Sequence, residues 1–326
     1  MNTIAGATMG ASSHPVISIR GLRKRYGDRE AVRGIDLKIR PGEIFAFLGP
    51  NGAGKTTTVE ILEGFRQASD GTVEVIGHDP WCAPASWRAR IGIVLQESEA
   101  EPDLTVRECL HLYAGYYPTP RSVEETIGLV DLAGHADQRA SALSGGQRRR
   151  LDVALALIGD PELIFLDEPT TGFDPAARRA AWEVIAGLRD LGKTVFLTTH
   201  YMEEAEHLAD RIAVIAAGEI VAEGTPQTLG GRQQEAAQIV FAPPDGAADA
   251  ELPLPLAARV KQQPSGRLLL TSTRVAADLH ALSGWALEHD LELDDLEVTR
   301  PTLEDVYLQL TTDVPETDDD PERSRS

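Results

Sequence analysis

The amino-acid sequence predicts an α/β fold in which helices flank a mixed β-sheet core, followed by a small α+β domain. Two short apolar segments, ELIFLD and TVFLTT, lie on either side of a helical pattern, and such alternation is typical of parallel sheets with right-handed crossovers. After Gly224, connectors rich in proline, glycine and alanine separate shorter segments, which indicates a second domain. We predict a flexible arm over residues 1–15, a first domain over 16–228, an accessory domain over 229–312 and a disordered acidic tail over 313–326.

The first domain begins with elements of strand character. Residues 16–44 contain VISIRGL and AVRGIDLKI, whose alternation of apolar and polar residues predicts antiparallel strands. EIFAFL then predicts a strand that is buried on both faces. It leads into a glycine-rich turn and the helical segment TTTVEILEGF.

Residues 104–159 have a helical pattern and predict a helical subdomain at about 97–160. Two pairs of residues have the spacing of a capping box, namely Thr105 with Glu108 and Ser122 with Glu125. Between ELIFLD and TVFLTT, a helix is expected to begin at Asp174-Pro175 and to end at Gly192. RIAVIAAGEIVAEG then predicts a hairpin that closes the sheet.

The accessory domain is expected to combine QIVFA, RLLLTST, a helix near residues 275–289 and LELDDLEV. A final helix is expected to place four residues on one face, namely Leu303, Val306, Tyr307 and Leu310.

The composition limits the partners of this chain. Its 326 residues contain 31 Lys and Arg against 51 Asp and Glu, a net charge of −20, which repels nucleic acid and anionic lipid. We therefore expect no nucleic-acid partner. Cys82 and Cys109 lack metal-ligand spacing and are expected to stay reduced. No apolar run approaches the roughly 18 to 20 residues of a membrane span, and the N-terminal residues lack the pattern of a signal peptide. Any action on a membrane is expected to need partner chains.

A glycine-rich motif predicts a phosphate site. It consists of Gly49, Pro50, Asn51, Gly52, Ala53, Gly54, Lys55 and Thr56, with Thr57 directly after it. Between a strand and a helix, such a loop turns backbone N–H groups toward phosphate oxygens, and the helix dipole adds to the attraction. Lys55 is expected to reach the outer phosphates and the Thr56 hydroxyl to suit Mg²⁺. The alternative, an ordinary glycine-rich turn, does not account for the motif in this context.

A carboxylate pair supplies the second half of the predicted site. Asp167 and Glu168 follow the apolar run LIFL, at the strand end where open α/β sheets bind ligands. Asp167 fits a Mg²⁺ role, directly or through water, and Glu168 would polarise the water that attacks the γ-phosphate. The alternative is a helix cap or a surface charge pair.

One further motif indicates the family. Leu143 is followed by Ser144, Gly145, Gly146 and Gln147. Ser144 and Gln147 have capping-box spacing, so the segment also predicts a helix start that presents N–H donors to an anion. Lying between the phosphate loop and the carboxylates, LSGGQ resembles the signature of the ABC ATPase family, a group of phosphate-loop NTPases. The resemblance extends over about residues 16–226.

The resemblance implies roles for four further residues. Tyr26 matches the aromatic residue that stacks on adenine, the alternative being a core tyrosine. Gln96 matches the glutamine that contacts Mg²⁺ and the attacking water and senses the membrane partner. Asp174 matches a dimer-interface aspartate and is also a good N-cap. His200 matches the switch histidine that holds the γ-phosphate.

The resemblance also implies an assembly and its cofactors, ATP and Mg²⁺. In the family, the signature of one subunit completes the phosphate site of the other, so two chains would pair head-to-tail around two ATP molecules. Phe173 stands where the family usually has leucine, which could alter how the two subunits close.

The segments RRRLDVALALIGDPELIFLDEPTTGFDP, HYMEEAEHLADRIAVI and PTLEDVYLQLTT resemble the ATPases of type-2 ABC exporters of the daunorubicin-resistance group. This implies a peripheral protein on the cytoplasmic side of the membrane, bound to a separate permease and exporting a drug-like or amphipathic compound. The face that meets the permease is expected over Gln96–Tyr117. Three alternatives remain: an importer ATPase, a soluble ABC protein and a non-hydrolysing nucleotide sensor.

Overall fold

The computed structural model describes residues 14–95, 100–231, 236–242, 256, 259–263, 265–300 and 302–312. The contacts divide the chain into two compact units, one of Met1–Pro226 with Leu310–Ser326 and the other of Gln227–Gln309. Three expectations concern residues outside the described ranges: most of the arm over 1–15, Gln96, and the tail over 313–326.

A six-stranded sheet forms the centre of the first unit. Its order is β5-β6-β7-β3-β8-β9, in which β9 is antiparallel to β8 and the other neighbours are parallel. These strands are β3 (Ile44–Leu48), β5 (Ile91–Val94), β6 (Leu163–Asp167), β7 (Thr194–Thr199), β8 (Arg211–Ala216) and β9 (Glu219–Gly224). Every residue of β3 and β7 is buried, because helices or a second sheet cover both faces. The order brings the carboxyl ends of β3, β7 and β6 to one edge.

A three-stranded antiparallel sheet packs on one face of this centre. Its order is β2-β1-β4, with β1 (Ile17–Tyr26), β2 (Arg29–Ile39) and β4 (Asp70–Val75). Apolar residues of these strands share one core with Phe45, Phe47, Phe165 and Phe196 of the central sheet. The antiparallel pairing predicted for residues 16–44 is confirmed.

The first two helices pack in the core shared with the three-stranded sheet, whereas the other five cover the opposite face of the central sheet and form the helical part. The helices are α1 (Lys55–Leu62), α2 (Ala85–Arg88), α3 (Val106–Ala114), α4 (Val123–Leu129), α5 (Gly145–Leu157), α6 (Pro175–Asp190) and α7 (Met202–Leu208). Helices α3, α4 and α5 share a buried cluster that includes Cys109, Leu110, Ile127 and Leu151.

The two predicted capping boxes differ in outcome. At α3, both reciprocal bonds between Thr105 and Glu108 are present. At α4, the Ser122 hydroxyl accepts from the Glu125 N–H, but the Glu125 carboxylate pairs with Arg121 instead. The second prediction is therefore half right, because a guanidinium one turn away competes for the carboxylate.

The second unit contains an antiparallel sheet of order β11-β12-β10-β13. The strands are β10 (Ala237–Phe241), β11 (Val260–Gln262), β12 (Leu268–Ser272) and β13 (Glu297–Thr299), and the helix α8 (Val275–Glu288) packs on them. Of the segment LELDDLEV, only the end forms a strand, since Asp294 and Asp295 lie in a turn and Asp295 has a left-handed φ of 51°. The last helix, α9 (Leu303–Thr312), buries Leu303 and Val306, as its spacing predicts.

Candidate nucleotide site

The glycine-rich loop joins β3 to α1 and requires glycine at two tightly packed positions. A Cβ on Gly49 would lie 2.3 Å from the Ile215 carbonyl oxygen, and one on Gly54 would lie 2.6 Å from that of Ala31. Gly54 also has a φ of 104° and precedes the first helical residue, Lys55. These close approaches hold the loop against the neighbouring strands. The backbone N–H groups in the first turn of α1 follow directly after the loop and have no acceptor within the helix.

Lys55 places a positive charge inside this loop. Its ammonium donates to the carbonyl oxygens of Gly49 at 2.5 Å and Pro50 at 3.1 Å, and only 9% of the residue is exposed. Burial lowers the pKa of Lys55, while the negative charges of Glu168 and Asp167 oppose that shift. The loop after β3 and the carboxylates after β6 thus act on each other electrostatically.

The two carboxylates are held by the neighbouring strand. Thr198 of β7 donates its hydroxyl to Asp167 Oδ1. The Glu168 N–H points at Thr198 as well, at 3.2 Å from its hydroxyl oxygen and 3.1 Å from its carbonyl oxygen. Glu168 takes a left-handed φ of 43°, which is costly for a residue with a side chain. This turn directs the Glu168 side chain away from the strand.

His200 lies beside Glu168 at the same edge. Its Nδ1 is 3.3 Å from Glu168 Oε1, and the Thr171 hydroxyl donates to Glu168 Oε2 at 3.1 Å. The His200 side chain is 43% exposed and that of Glu168 20%. A carboxylate and an imidazole that share one open edge can orient a water molecule and a phosphate oxygen together.

Family models match this chain over two ranges. A model described as "ABC transporter" matches residues 32–171. A second model, described as "ABC transporter domain-containing protein-like, C-terminal domain", matches residues 237–302.

Curated relatives match almost the whole chain. The chain is 40% identical over 314 residues to the daunorubicin resistance ATP-binding protein DrrA3 of Streptomyces coeruleorubidus, covering 91% of this chain and 96% of that protein. It is 39% identical over 318 residues to the Nod factor export ATP-binding protein I of Ralstonia nicotianae, covering 93% and 95%. The chain belongs to the ABC transporter ATP-binding proteins. As an ABC ATPase, it is a member of a family of ATP hydrolases and binds nucleotide.

Solved structures agree on the fold of this ABC ATPase. A dimeric ATP-binding cassette in a post-hydrolysis state, bound to ADP and Pi, has a TM-score of 0.57 at 26% identity and covers 64% of this chain and 98% of that one. The ADP conformation of another ATP-binding cassette has a TM-score of 0.58 at 25% identity and covers 65% and 92%.

The donor set of the ABC ATPase fits Mg²⁺. Mg²⁺ prefers oxygen ligands and keeps several waters, often with only one or two protein groups and the substrate phosphates. Thr56 is exposed in the first turn of α1. Asp167 ends β6, which lies two strands away from β3 in the sheet. Within the described ranges, His, Cys, Asp and Glu form no cluster of three or more that could hold a metal by themselves.

Ser144 caps helix α5 as the signature predicts. Its hydroxyl accepts from the Gln147 N–H at 3.3 Å, and Gln147 Oε1 accepts from the Ser144 N–H at 2.9 Å. Ser144 and Gly145 are exposed and Gly146 is half-buried, where an added Cβ would lie in ordinary van der Waals contact, 3.6 Å from Ala177 Cβ. The first N–H groups of α5 are therefore accessible from outside the chain.

Asp174 and Tyr26 occupy different settings. Asp174 caps α6 and accepts from the N–H groups of Ala176 and Ala177, each at 2.9 Å. Tyr26 is 40% exposed, which excludes the core alternative. The Lys24 ammonium and the Arg66 guanidinium each lie 5.3 Å from the centre of its ring.

Two functional residues escape the sequence analysis because their roles depend on three-dimensional contacts. Arg149 is buried and donates to the backbone carbonyls of Leu95, Pro169 and Asp167, the last at 2.7 Å. It thus joins the signature helix α5 to the carboxylate strand. The Tyr201 ring contacts the His200 ring in a tilted arrangement, with ring centres 4.1 Å apart, and the Arg178 guanidinium lies 4.2 Å from the Tyr201 ring centre.

A buried carboxyl lies behind the site. Glu63, directly after α1, is only 7% exposed. Burial, together with the charges of Asp167 and Glu60, raises the pKa of Glu63 to about 8. Glu63 also lines a cavity of about 320 Å³ with Phe65, Leu95, Tyr113 and Tyr117.

Proposed function

We propose that this ABC ATPase works as a head-to-tail homodimer that powers export of a drug-like or amphipathic compound through a separate membrane permease. The observation that most supports this proposal is that the signature start, Ser144–Gln147, is accessible from outside the chain. The phosphate loop and the carboxylates, in contrast, lie together within one chain. Gly145 is exposed, so its N–H is accessible to a second copy, and a solved relative is a dimer.

In the proposed mechanism, the glycine-rich loop and Lys55 bind the phosphates of ATP while Tyr26 stacks on adenine. Mg²⁺, held by Thr56, Asp167 and Gln96, would neutralise charge on the β- and γ-phosphates. Glu168 orients a water molecule and draws its proton as oxygen attacks the γ-phosphorus. The bond from that phosphorus to the bridging oxygen of ADP then breaks.

His200 and the partner's signature complete this proposed site. His200 contacts the γ-phosphate and is held by Glu168 at 3.3 Å. The exposed N–H groups at the start of α5 in one subunit bind the γ-phosphate of the ATP in the other. ATP thus joins the two subunits, hydrolysis lets them separate, and this cycle moves the permease.

The proposed permease surface lies around the Glu63 cavity. Phe65 and Leu95 line this cavity and are exposed. Leu112 and Tyr116, which are also exposed, are the chain neighbours of its lining residues Tyr113 and Tyr117, and exposed apolar side chains of this kind are typical of an interaction site. None of the described helices is long and apolar enough to cross a bilayer. The relatives named for drug resistance and Nod factor export support an exporter that acts at the cytoplasmic side of the membrane.

A complementation experiment tests the head-to-tail pairing. Lys55→Ala disables one phosphate loop, and Ser144→Arg disables one signature. Each variant alone should hydrolyse little ATP, but a mixture should recover part of the activity, because one mixed site contains neither substitution. Absence of recovery in mixtures shown to contain heterodimers would contradict the pairing.

The exporter assignment has its own test. The ATPase, purified together with its permease from detergent-solubilised membranes, should hydrolyse ATP faster when amphipathic compounds are added. Inside-out vesicles should then accumulate the stimulating compound in the presence of ATP. Release from such vesicles, or purification with no membrane protein, would contradict the exporter assignment.

A further inference from the structure

One chain of hydrogen bonds at the signature lies outside the catalytic edge. His135 ends a short 3-10 turn, Ala133–His135, in the helical part and is half-buried. Its Nε2 lies 2.9 Å from Gln147 Nε2, and its Nδ1 lies 2.9 Å from Gln138 Oε1. The ring therefore bridges two glutamine side chains, one of which belongs to the capping box of α5.

Backbone groups fix the orientation of both amides. The Ser144 N–H donates to Gln147 Oε1 at 2.9 Å, so the other end of that amide, Nε2, must face His135. Gln138 Nε2 donates to the Ala142 carbonyl oxygen at 2.8 Å, so the Gln138 carbonyl oxygen must face His135.

These orientations determine what the imidazole does. An amide nitrogen only donates and an amide oxygen only accepts. His135 must therefore carry its proton on Nδ1, donate it to Gln138 and accept from Gln147 with the Nε2 lone pair. The signature glutamine thus depends on an acceptor supplied by the 3-10 turn.

The 3-10 turn is itself attached to the first turn of α3. The Arg107 N–H donates to the Ala136 carbonyl oxygen at 2.9 Å, and the Val106 N–H donates to that of Gln138 at 3.0 Å. Thr105, the N-cap of α3, also forms a bridge with Arg139. The start of α3 and the start of α5 are therefore joined through residues 135–139.

We propose that His135 is a positioning residue for ATP hydrolysis: as a hydrogen-bond acceptor it holds Gln147, and through Gln147 the Ser144 end of α5, in the orientation that binds the partner's ATP. The proposal rests on the head-to-tail dimer of the proposed function. It also links the α3 segment, on the proposed permease side, to the signature.

Three substitutions at His135 distinguish the loss of a hydrogen-bond acceptor from a change in side-chain size. His135→Gln retains an acceptor near the Nε2 position, His135→Ala removes it, and His135→Arg offers only donors. All three are made in the Glu168→Gln form with ATP and Mg²⁺, and dimerisation is measured by analytical ultracentrifugation. His280→Ala, on an exposed face of α8, is the matched control.

We expect the His135→Gln form to dimerise like the parent. Loss of one hydrogen bond in His135→Ala should weaken dimerisation about 2- to 10-fold, and His135→Arg should weaken it more because two donors then face each other. Binding of a fluorescent ATP analogue to each variant as a monomer should not change, since the phosphate loop of the same chain is intact. In the Glu168 wild-type background, kcat should follow the same order while KM for ATP changes less.

Two outcomes would contradict the role of His135 without contradicting the dimer. Either all three variants dimerise equally, or the loss of dimerisation follows the melting temperature of each variant rather than its capacity to accept a hydrogen bond. If the parent Glu168→Gln form itself stays monomeric with ATP, both the proposed dimer and the proposed role of His135 are contradicted. The parent measurement therefore distinguishes the two failures.

Discussion

The carboxylate edge (Asp167, Glu168 and His200) and the signature start (Ser144–Gln147) differ in how their polar groups are satisfied. At the carboxylate edge, Thr198, Thr171 and His200 hold both carboxylates from within the chain. At the signature start, the side chains satisfy each other and His135, but the first N–H groups of α5 remain exposed. The first arrangement fits the proposed catalysis within one chain, and the second fits the proposed contact with a second chain.

This difference explains why the two regions should respond differently to substitution. In the proposed head-to-tail dimer, a change at the carboxylate edge acts on the ATP bound to the same chain, whereas a change at the signature start acts on the ATP of the partner. The next three predictions test the carboxylate edge and its surroundings, from the largest expected effect to the smallest.

Glu168→Gln should lower kcat about 10²- to 10⁴-fold, equivalent to about 3 to 5 kcal/mol, because an amide cannot accept the proton of the attacking water. ATP affinity should stay close to that of the wild type, since Lys55 and the loop are unchanged. Steady-state hydrolysis and equilibrium binding of ATP measure the two quantities.

Glu183→Gln is the matched control for this change, because Glu183 is an exposed carboxylate on α6. It should retain wild-type kcat. A Glu168→Gln form that turns over at the wild-type rate would show that the proton leaves by another route.

Glu63 should make the stability of the first unit depend on pH. Its pKa is about 8 in the folded state against 4.5 for the free side chain, so the folded state binds an additional proton between these values. Stability should therefore fall as pH rises from about 5 to 8, by at most about 1.4 kcal/mol per pH unit. Urea unfolding without nucleotide or Mg²⁺ measures this slope.

Glu63→Gln should flatten that slope, because the amide resembles the protonated carboxyl and does not ionise. Relative to the wild type, the variant should gain about 1 to 3 kcal/mol on going from pH 5.5 to pH 8. Glu183→Gln should keep the wild-type slope. Parallel pH profiles for wild type and Glu63→Gln would show that Glu63 is ionised at pH 5.5 in the folded protein.

The sequence predicts the elements of the first unit well because local chemistry determines them. The buried runs IFAFL and LIFLD become β3 and β6, and the capping residues Thr105 and Ser144 mark the starts of α3 and α5. Such patterns depend on residues close together in the chain.

The contacts that hold the site are not local, and the sequence does not predict them. Thr198 contacts Asp167 across 31 positions, and Arg149 reaches Leu95 across 54. Neither side chain belongs to a motif, and an arginine within RRR indicates an exposed charge rather than a buried one. The roles of Tyr26, Asp174 and Gln96 in a dimer with bound ATP stay predictions.

The smallest expected effect is at Tyr201, which tests whether the carboxylate edge extends beyond the motifs. The Tyr201 ring contacts both the Arg178 guanidinium and the His200 ring, and a cation–π contact is worth about 0.5 to 2 kcal/mol. Tyr201→Phe retains both contacts and should keep kcat. Tyr201→Ala frees the His200 ring and should lower kcat about 2- to 30-fold, with little change in ATP affinity. If Tyr201→Phe lost as much activity as Tyr201→Ala, the hydroxyl rather than the ring would be the group that matters, and positioning of His200 by the Tyr201 ring would be wrong.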